Sequence, residues 1–186
     1  MRVYKTYRLK KSPQTGMTLI EVLVALFILS TGILGAVAMQ ATAKKGSFDA
    51  MQRSMASSLT QDIIERMRGN DPTMMDFYTG LSPFGTGKIT NPPICNSSEN
   101  LCNRAQMITN DLYGWEQSLI GAGTKKGTVN AGGLVNAVGC IYQNNNAVTV
   151  VIAWQGRTKI NDAAKVNNCG STSNKRRQVV VKAFIY

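Results

Sequence analysis

Residues 16–26 read Gly16-Met17-Thr18-Leu19-Ile20-Glu21-Val22-Leu23-Val24-Ala25-Leu26, and the apolar run continues to Ala43 with Glu21 as its only charge. From Val22 to Met39 eighteen residues pass without a charge, long enough for a membrane-spanning helix. Upstream stand Arg2, Lys5, Arg8, Lys10 and Lys11 and no acid. Basic residues flanking a span stay in the cytoplasm, so the N-terminus is expected inside and everything after residue 40 outside. Lys44 and Lys45 on the far side do not outvote five.

Three readings of this segment compete. A secretory signal peptide has two A-x-A-like sites, Ala36-Val37-Ala38 and Ala41-Thr42-Ala43. Against it, the apolar run exceeds the roughly 7–15 residues of an ordinary signal core and opens with an acid. A plain single-span anchor has no use for that acid either. A carboxylate at the centre of a spanning helix costs roughly 2.5–3.5 kcal/mol, less near an interface. The third reading is a short basic leader, residues 1–16, cut after a glycine so that the apolar stretch stays in the mature chain.

Gly16-Met17-Thr18-Leu19-Ile20-Glu21 resembles the signature of type IV pilins and pseudopilins: Gly before the cut, a hydrophobic first residue, Glu at the fifth, then an apolar helix. Met17 replaces the commoner Phe. The resemblance implies cleavage between Gly16 and Met17 by a prepilin peptidase, then N-methylation of Met17. It also gives Glu21 a use. In a stack of subunits, Glu21 of one copy can lie beside the Met17 amine of the next. In low dielectric such a pair is tolerated and an orphan is expensive. Ser30-Thr31-Gly32 and Gly35 interrupt the span; they read equally as a soft point for assembly or as small residues for close helix packing.

Beyond the span, Phe48, Met51, Met55, Leu59, Ile63 and Met67 recur every three or four residues, which predicts one helical face. Asp49, Gln52, Arg53, Ser57, Gln61, Asp62 and Arg66 form the expected wet face. Arg66, Arg68, Gly69 and Pro72 make a C-terminal stop. A helix over residues 17–68 would be about 78 Å long. Asp62-Ile63-Ile64-Glu65-Arg66-Met67-Arg68-Gly69-Asn70 is similar to the E-R-M-R-[A/G]-N element of PilV-type minor pilins, the type IV pilus modification family. Its plainer reading is a charged helix end with Asp62–Arg66 and Glu65–Arg68 pairs.

Residues 70–104 read as loop, broken by Gly80, Pro83, Gly85, Gly87, Asn91, Pro92, Pro93 and Asn96. Ala105, Ile108, Leu112, Trp115 and Leu119 predict a short amphipathic helix over 105–120, and Asp111-Leu112-x-x-Trp115 also resembles the minor-pilin pattern. Trp115 is expected to anchor the core. Strands are predicted over Val135–Gln143, Ala147–Gln155 and Gln178–Tyr186, with a turn at Asn144-Asn145-Asn146 and a short fourth strand at 127–130. Helix, loop and strands in this order predict an α+β fold. The resemblance makes it a pilin fold: a long N-terminal helix, membrane-spanning in its first half, packed on an antiparallel β-sheet head. The expected segments are 1–16 leader, 17–43 span and assembly, 44–69 amphipathic helix, and 70–186 head.

Cys95, Cys102, Cys140 and Cys169 all lie outside the cytoplasm by this topology, so disulfides are expected. Four cysteines allow three connectivities. Cys95–Cys102 would close a short loop. Cys140–Cys169 would tie the first main strand to the loop before the last, similar to the C-terminal disulfide loop of pilins.

The chain has no histidine, which excludes Ser-His-Asp and Cys-His nucleophile systems and His-ligated zinc. No C-x-x-C and no phosphate-binding glycine loop is present; Gly121, Gly123, Gly127, Gly132 and Gly133 fit neither P-loop nor dinucleotide spacing. Asp111 and Glu116 form no paired-carboxylate constellation. No catalytic residue, cofactor, metal or small-molecule substrate is expected. The formal charge of +11 suggests an acidic partner, but five of the 21 bases sit in the leader. Removing them leaves 16 against 10 acids. Lys175-Arg176-Arg177 reads as a solvated loop rather than a nucleic-acid contact.

By resemblance, then, the chain is expected to be a minor type IV pilin that primes pilus assembly at or near the tip and serves twitching motility and adhesion. The implied partners are a prepilin peptidase, other minor pilins, the major pilin and a tip adhesin. The implied locations are the inner membrane with a periplasmic head, then the pilus. A type II secretion pseudopilin, the closest alternative, shares the N-terminal third; a second class is a DNA-uptake pilin, and a third is a secreted or anchored envelope enzyme, against which the missing histidines argue.

Overall fold

The computed structural model describes residues 16–90, 92–95, 101–160 and 168–185. The leader bases Arg2, Lys5, Arg8, Lys10 and Lys11, and the breakers Asn91 and Asn96, lie outside the described residues. The chain divides into two compact units between Ala43 and Lys44. Helix α1, Leu19–Arg68, contributes to both.

In the first unit every side chain from Gly16 to Ala43 is exposed. Apolar residues line all sides of this stretch, among them Leu23, Phe27, Leu29, Leu34 and Met39. A helix apolar all round belongs in lipid or among other helices, not in water. Its length and composition suffice to cross a membrane. Ser30 and Thr31 inside the span are satisfied within it: Ser30 Oγ donates to Phe27 O at 2.9 Å, and Thr31 Oγ1 to Phe27 O and Ile28 O at 3.1 and 3.0 Å. That removes their need for water.

In the second unit α1 buries Gln52, Ala56, Thr60, Ile63, Ile64 and Met67. The expected stripe holds at Ile63 and Met67, is half-buried at Phe48, Met55 and Leu59, and fails at Met51, which is 52% exposed. The reason is the helical period. A row of residues four apart drifts about 40° around the axis at each step, so Met51 stands about 160° from Met67. The buried set, Gln52, Ala56, Thr60, Ile63, Ile64 and Met67, stays within about 60° of Met67 because steps of three residues offset steps of four. Gln52, expected on the wet face, is 2% exposed. Its amide is satisfied by Val135 N, which donates to Gln52 Oε1 at 3.1 Å, and by Gly133 O, which accepts from Nε2 at 3.5 Å.

Residues 70–104 are not all loop. Asp71 caps a 3-10 turn, Pro72–Met74, by accepting from Thr73 N at 3.0 Å, and α2, Met75–Gly80, follows. Six residues are too few to show a period, yet α2 buries Met75 and Tyr78, three apart on one face. Helix α3, Arg104–Ile120, opens with a reciprocal cap between Asn103 and Gln106. It closes at Gly121, whose φ is +65°. A Cβ there would fall 1.8 Å from Gly133 N, so only glycine fits.

Strands β1, Lys125–Lys126, and β2, Val129–Asn130, form their own exposed two-stranded ribbon. The strand expected at 127–130 therefore does not join the main sheet. That sheet has antiparallel order β3-β4-β5: β3 Val138–Asn144, β4 Ala147–Gln155 and β5 Arg176–Phe184. The first strand starts three residues later than expected because Asn136, at φ +48°, breaks extended backbone. Asn145, at φ +53°, makes the tight β3–β4 turn.

One sheet face, with Ile141, Val148, Val150, Ile152 and Trp154, joins α1, α2 and α3 in the main core. The other face carries a small cluster of Cys140, Val151 and Cys169. β4 is thus buried on both faces, which explains its near-continuous apolar run. Trp115 is fully buried at the centre, edge-on to Phe84 at 5.2 Å. Gly139 faces it; a Cβ there would come within 2.5 Å of the indole. A long apolar helix with antiparallel sheets gives an α+β, pilin-like architecture.

Candidate processing and assembly site

Three elements compete for the functional role: the start of α1, the polar contacts that hold α1 in the head, and the basic run before β5.

Gly16, Met17 and Thr18 are non-helical and exposed, and α1 begins at Leu19. Thr18 Oγ1 accepts from Glu21 N at 3.4 Å, and Thr18 O from Val22 N at 3.3 Å. Glu21 is the one acid of the first turn, where a carboxylate favours the helix dipole. In the described chain its side chain is exposed to the surroundings of the apolar helix. The segment therefore presents a non-helical backbone, one carboxylate and a bare apolar helix side by side.

The two motifs of the head meet in space. Arg66 of the E-R-M-R-G-N element pairs with Asp62 and, across to α3, with Asp111, each at 3.1 Å. Burial lowers the readiness of Arg66 to stay charged, but hydrogen bonds and charge from Asp62 and then Asp111 outweigh it and hold the guanidinium more firmly protonated than usual. Glu65 pairs with Arg68 at 2.6 Å. Asn70 Nδ2 donates to Arg66 O at 3.0 Å and to the Tyr78 hydroxyl at 2.6 Å, closing the end of α1 onto α2. Trp115 Nε1 donates to Leu59 O at 2.8 Å. These residues brace helices against each other.

Sequence reasoning missed the role of Glu116. It is fully buried, and its Oε1 accepts from the backbone N–H of Gly85 at 2.7 Å, Thr86 at 3.0 Å and Gly87 at 3.0 Å. Three successive amides converge on one anionic oxygen because Gly85 and Gly87 take positive φ. Gly85-Thr86-Gly87 after Pro83 was the available signal.

Asp49, also expected to be wet, is a second clamp. It accepts from Arg157 N at 3.0 Å and Thr158 Oγ1 at 2.9 Å, and Arg177 lies 3.5 Å away. Burial alone would raise its pKa. The Arg157 and Thr158 hydrogen bonds and the Arg177 charge outweigh burial and hold the carboxyl below its ordinary value. The basic run is thereby absorbed into the fold. Arg177 also donates to Thr158 O and Oγ1, and Arg176 donates to Cys169 O.

Cys95 is bonded to Cys102 and Cys140 to Cys169, so none of the four is free. Among the described residues no group of His, Cys, Asp and Glu could hold a metal ion.

Residues 11–37 match the family model of the prokaryotic N-terminal methylation motif. Residues 38–113 match that of the type IV pilin Tt1218. The first match contains Gly16, Met17 and Glu21; the second contains the E-R-M-R-G-N element and Asp111. No curated protein and no solved structure gives a match. The two matches support a type IV pilin subunit, a structural rather than an enzymatic family, and the N-terminal motif implies prepilin peptidase processing and assembly with other pilins. The apolar helix fits membrane anchoring and incorporation into a pilus.

Proposed function

We infer that this chain is a minor type IV pilin of the PilV type that helps prime pilus assembly and stands at or near the tip. The observation that carries the reading is Glu21: one carboxylate in the first turn of a helix that is otherwise apolar to Ala43, five residues past a glycine. The proposed sequence starts with the prepilin held in the inner membrane by its span, its head in the periplasm. Prepilin peptidase cuts between Gly16 and Met17 and the new amine of Met17 is methylated. The helix then joins a bundle of neighbouring pilin helices, in which Glu21 of this subunit sits beside the amine of another. Pairing removes the cost of an orphan charge in lipid, so it acts as a register for stacking. Other minor pilins, the major pilin and a tip adhesin are the proposed contacts of the head, with twitching motility and adhesion as the outcome. The E-R-M-R-G-N element and its Asp111 partner support the PilV assignment over a secretion pseudopilin.

N-terminal mass analysis of the mature protein tests the processing. The expected chain begins at methylated Met17; a chain beginning at Met39 or Lys44 would make this an ordinary secreted protein. Glu21→Ala tests the register. The expected variant inserts into the membrane at the wild-type level but is lost from sheared filaments. Equal recovery of both proteins in filaments overturns it.

A further inference from the structure

Thr18-Leu19-Ile20-Glu21 has the Ser/Thr-x-x-Glu spacing of a helix capping box. Half of that box is formed, since Thr18 Oγ1 accepts from Glu21 N, while Thr18 O accepts the first intrahelical bond, from Val22 N. Thr18 is thus the N-cap of α1. A cap does two things: it stabilises the helix after it and keeps the residues before it out of the helix. The residues before it are Met17 and Gly16, both non-helical.

We propose that Thr18 is a positioning residue for leader removal: by capping α1 it keeps the Gly16–Met17 peptide bond in non-helical chain, where a peptidase can grip it. Hydrolysis adds water across this bond, leaving a carboxylate on Gly16 and an amine on Met17. In a helix the carbonyl is turned along the axis into a hydrogen bond and the flanking side chains splay around a cylinder. Such a bond has to unwind before it can lie in a cleft. Upstream of Thr18 the next residues of cap type are Gly16 and Thr15. If position 18 could not cap, the helix start would move to them and the scissile bond would enter the first turn. This inference rests on the Gly16–Met17 processing reading.

The test uses the full-length chain in membranes with a prepilin peptidase, and follows cleavage by mass. Thr18→Ala and Thr18→Val remove the cap, one with a strong helix former and one with nearly the same shape. Each is expected to be cut about fivefold more slowly, the population ratio that one lost cap represents. The loss should appear as a raised apparent KM with kcat kept, because fewer chains are competent to bind. Thr18→Asn, which caps without a hydroxyl, should restore the wild-type rate. Alanine and valine variants cut at the wild-type rate overturn the proposal. So does failure of Thr18→Asn with success of Thr18→Ser, which would make the hydroxyl a direct peptidase contact. Wild-type chain left uncut at Gly16–Met17 overturns the processing reading itself, and is told apart from these by the wild-type lane alone.

Discussion

Removing the charge of Glu116 should loosen the loop at residues 85–87 more than any surface change nearby. Its Oε1 takes three backbone N–H groups in a fully buried site, while Oε2 has no hydrogen-bond partner. Hydrogen bonds to a charged acceptor contribute about 1.5–3 kcal/mol each and neutral ones about 1. In Glu116→Gln the three donors keep an oxygen but lose its charge, a gross loss of roughly 1.5–6 kcal/mol. The new amide nitrogen would also lie buried where Oε2 is now, without an acceptor, and that costs about 1–3 kcal/mol more. Against this, the variant no longer desolvates a carboxylate, which returns part of the sum. The net expectation is about 2 kcal/mol for Glu116→Gln and about 4 for Glu116→Ala, which orphans all three donors. Denaturant unfolding of the full chain in detergent measures the totals. Hydrogen exchange locates them, with faster exchange expected at the amides of Gly85, Thr86 and Gly87. Both variants within about 0.5 kcal/mol of wild type, with those amides as protected as before, would refute the clamp.

Asp49 should make the head sensitive to acid. Its carboxyl is held below the ordinary 3.8, so its contribution is complete above that value and is lost as the pH falls through the lowered folded value. Asp49→Asn should flatten this part of a stability–pH profile, and an unchanged profile would contradict the assignment. Tyr78 should resist ionisation: burial first, and the charge of Asp111 second, push its hydroxyl up. In an absorbance titration its phenolate should appear only with unfolding, and Tyr78→Phe should remove that late step alone; a Tyr78 signal rising with the exposed tyrosines rules this out.

Periodicity made the main elements legible. Ala105, Ile108, Leu112, Trp115 and Leu119 mark α3, and the run Ala147–Gln155 marks β4. Long segments repeat their pattern often enough to be read. α2 has one turn and a half, so no repeat exists. β5 begins at Arg176 and Arg177, whose charges suggest a loop, whereas their guanidinium groups are taken up by Cys169 O and by Thr158 and Asp49. The Glu116 site left only the glycines at 85 and 87 as a trace in the sequence. It depends on three amides of another segment turning toward one point, which is a property of backbone angles.

The rotation of α1 in the head shows what the apolar pattern leaves open. Over residues 48–67 methionines and aliphatic residues occur on more than one side, and Ala56 and Thr60 in the buried set are too small or too polar to stand out. Burial area alone would discriminate poorly between neighbouring rotations. Directional contacts do so instead. Asp49 reaches the Arg157–Thr158 turn, Gln52 bonds the backbone at Gly133 and Val135, Leu59 O receives the Trp115 indole, and Arg66 meets Asp111. Four anchor points along about 26 Å of helix fix its angle and its height together. Turning it by one residue, about 100°, would break all four. In the proposed assembly, a helix held at one angle lets every subunit offer the same face to its neighbours. Here polar contacts set that angle, and apolar burial supplies most of the adhesion.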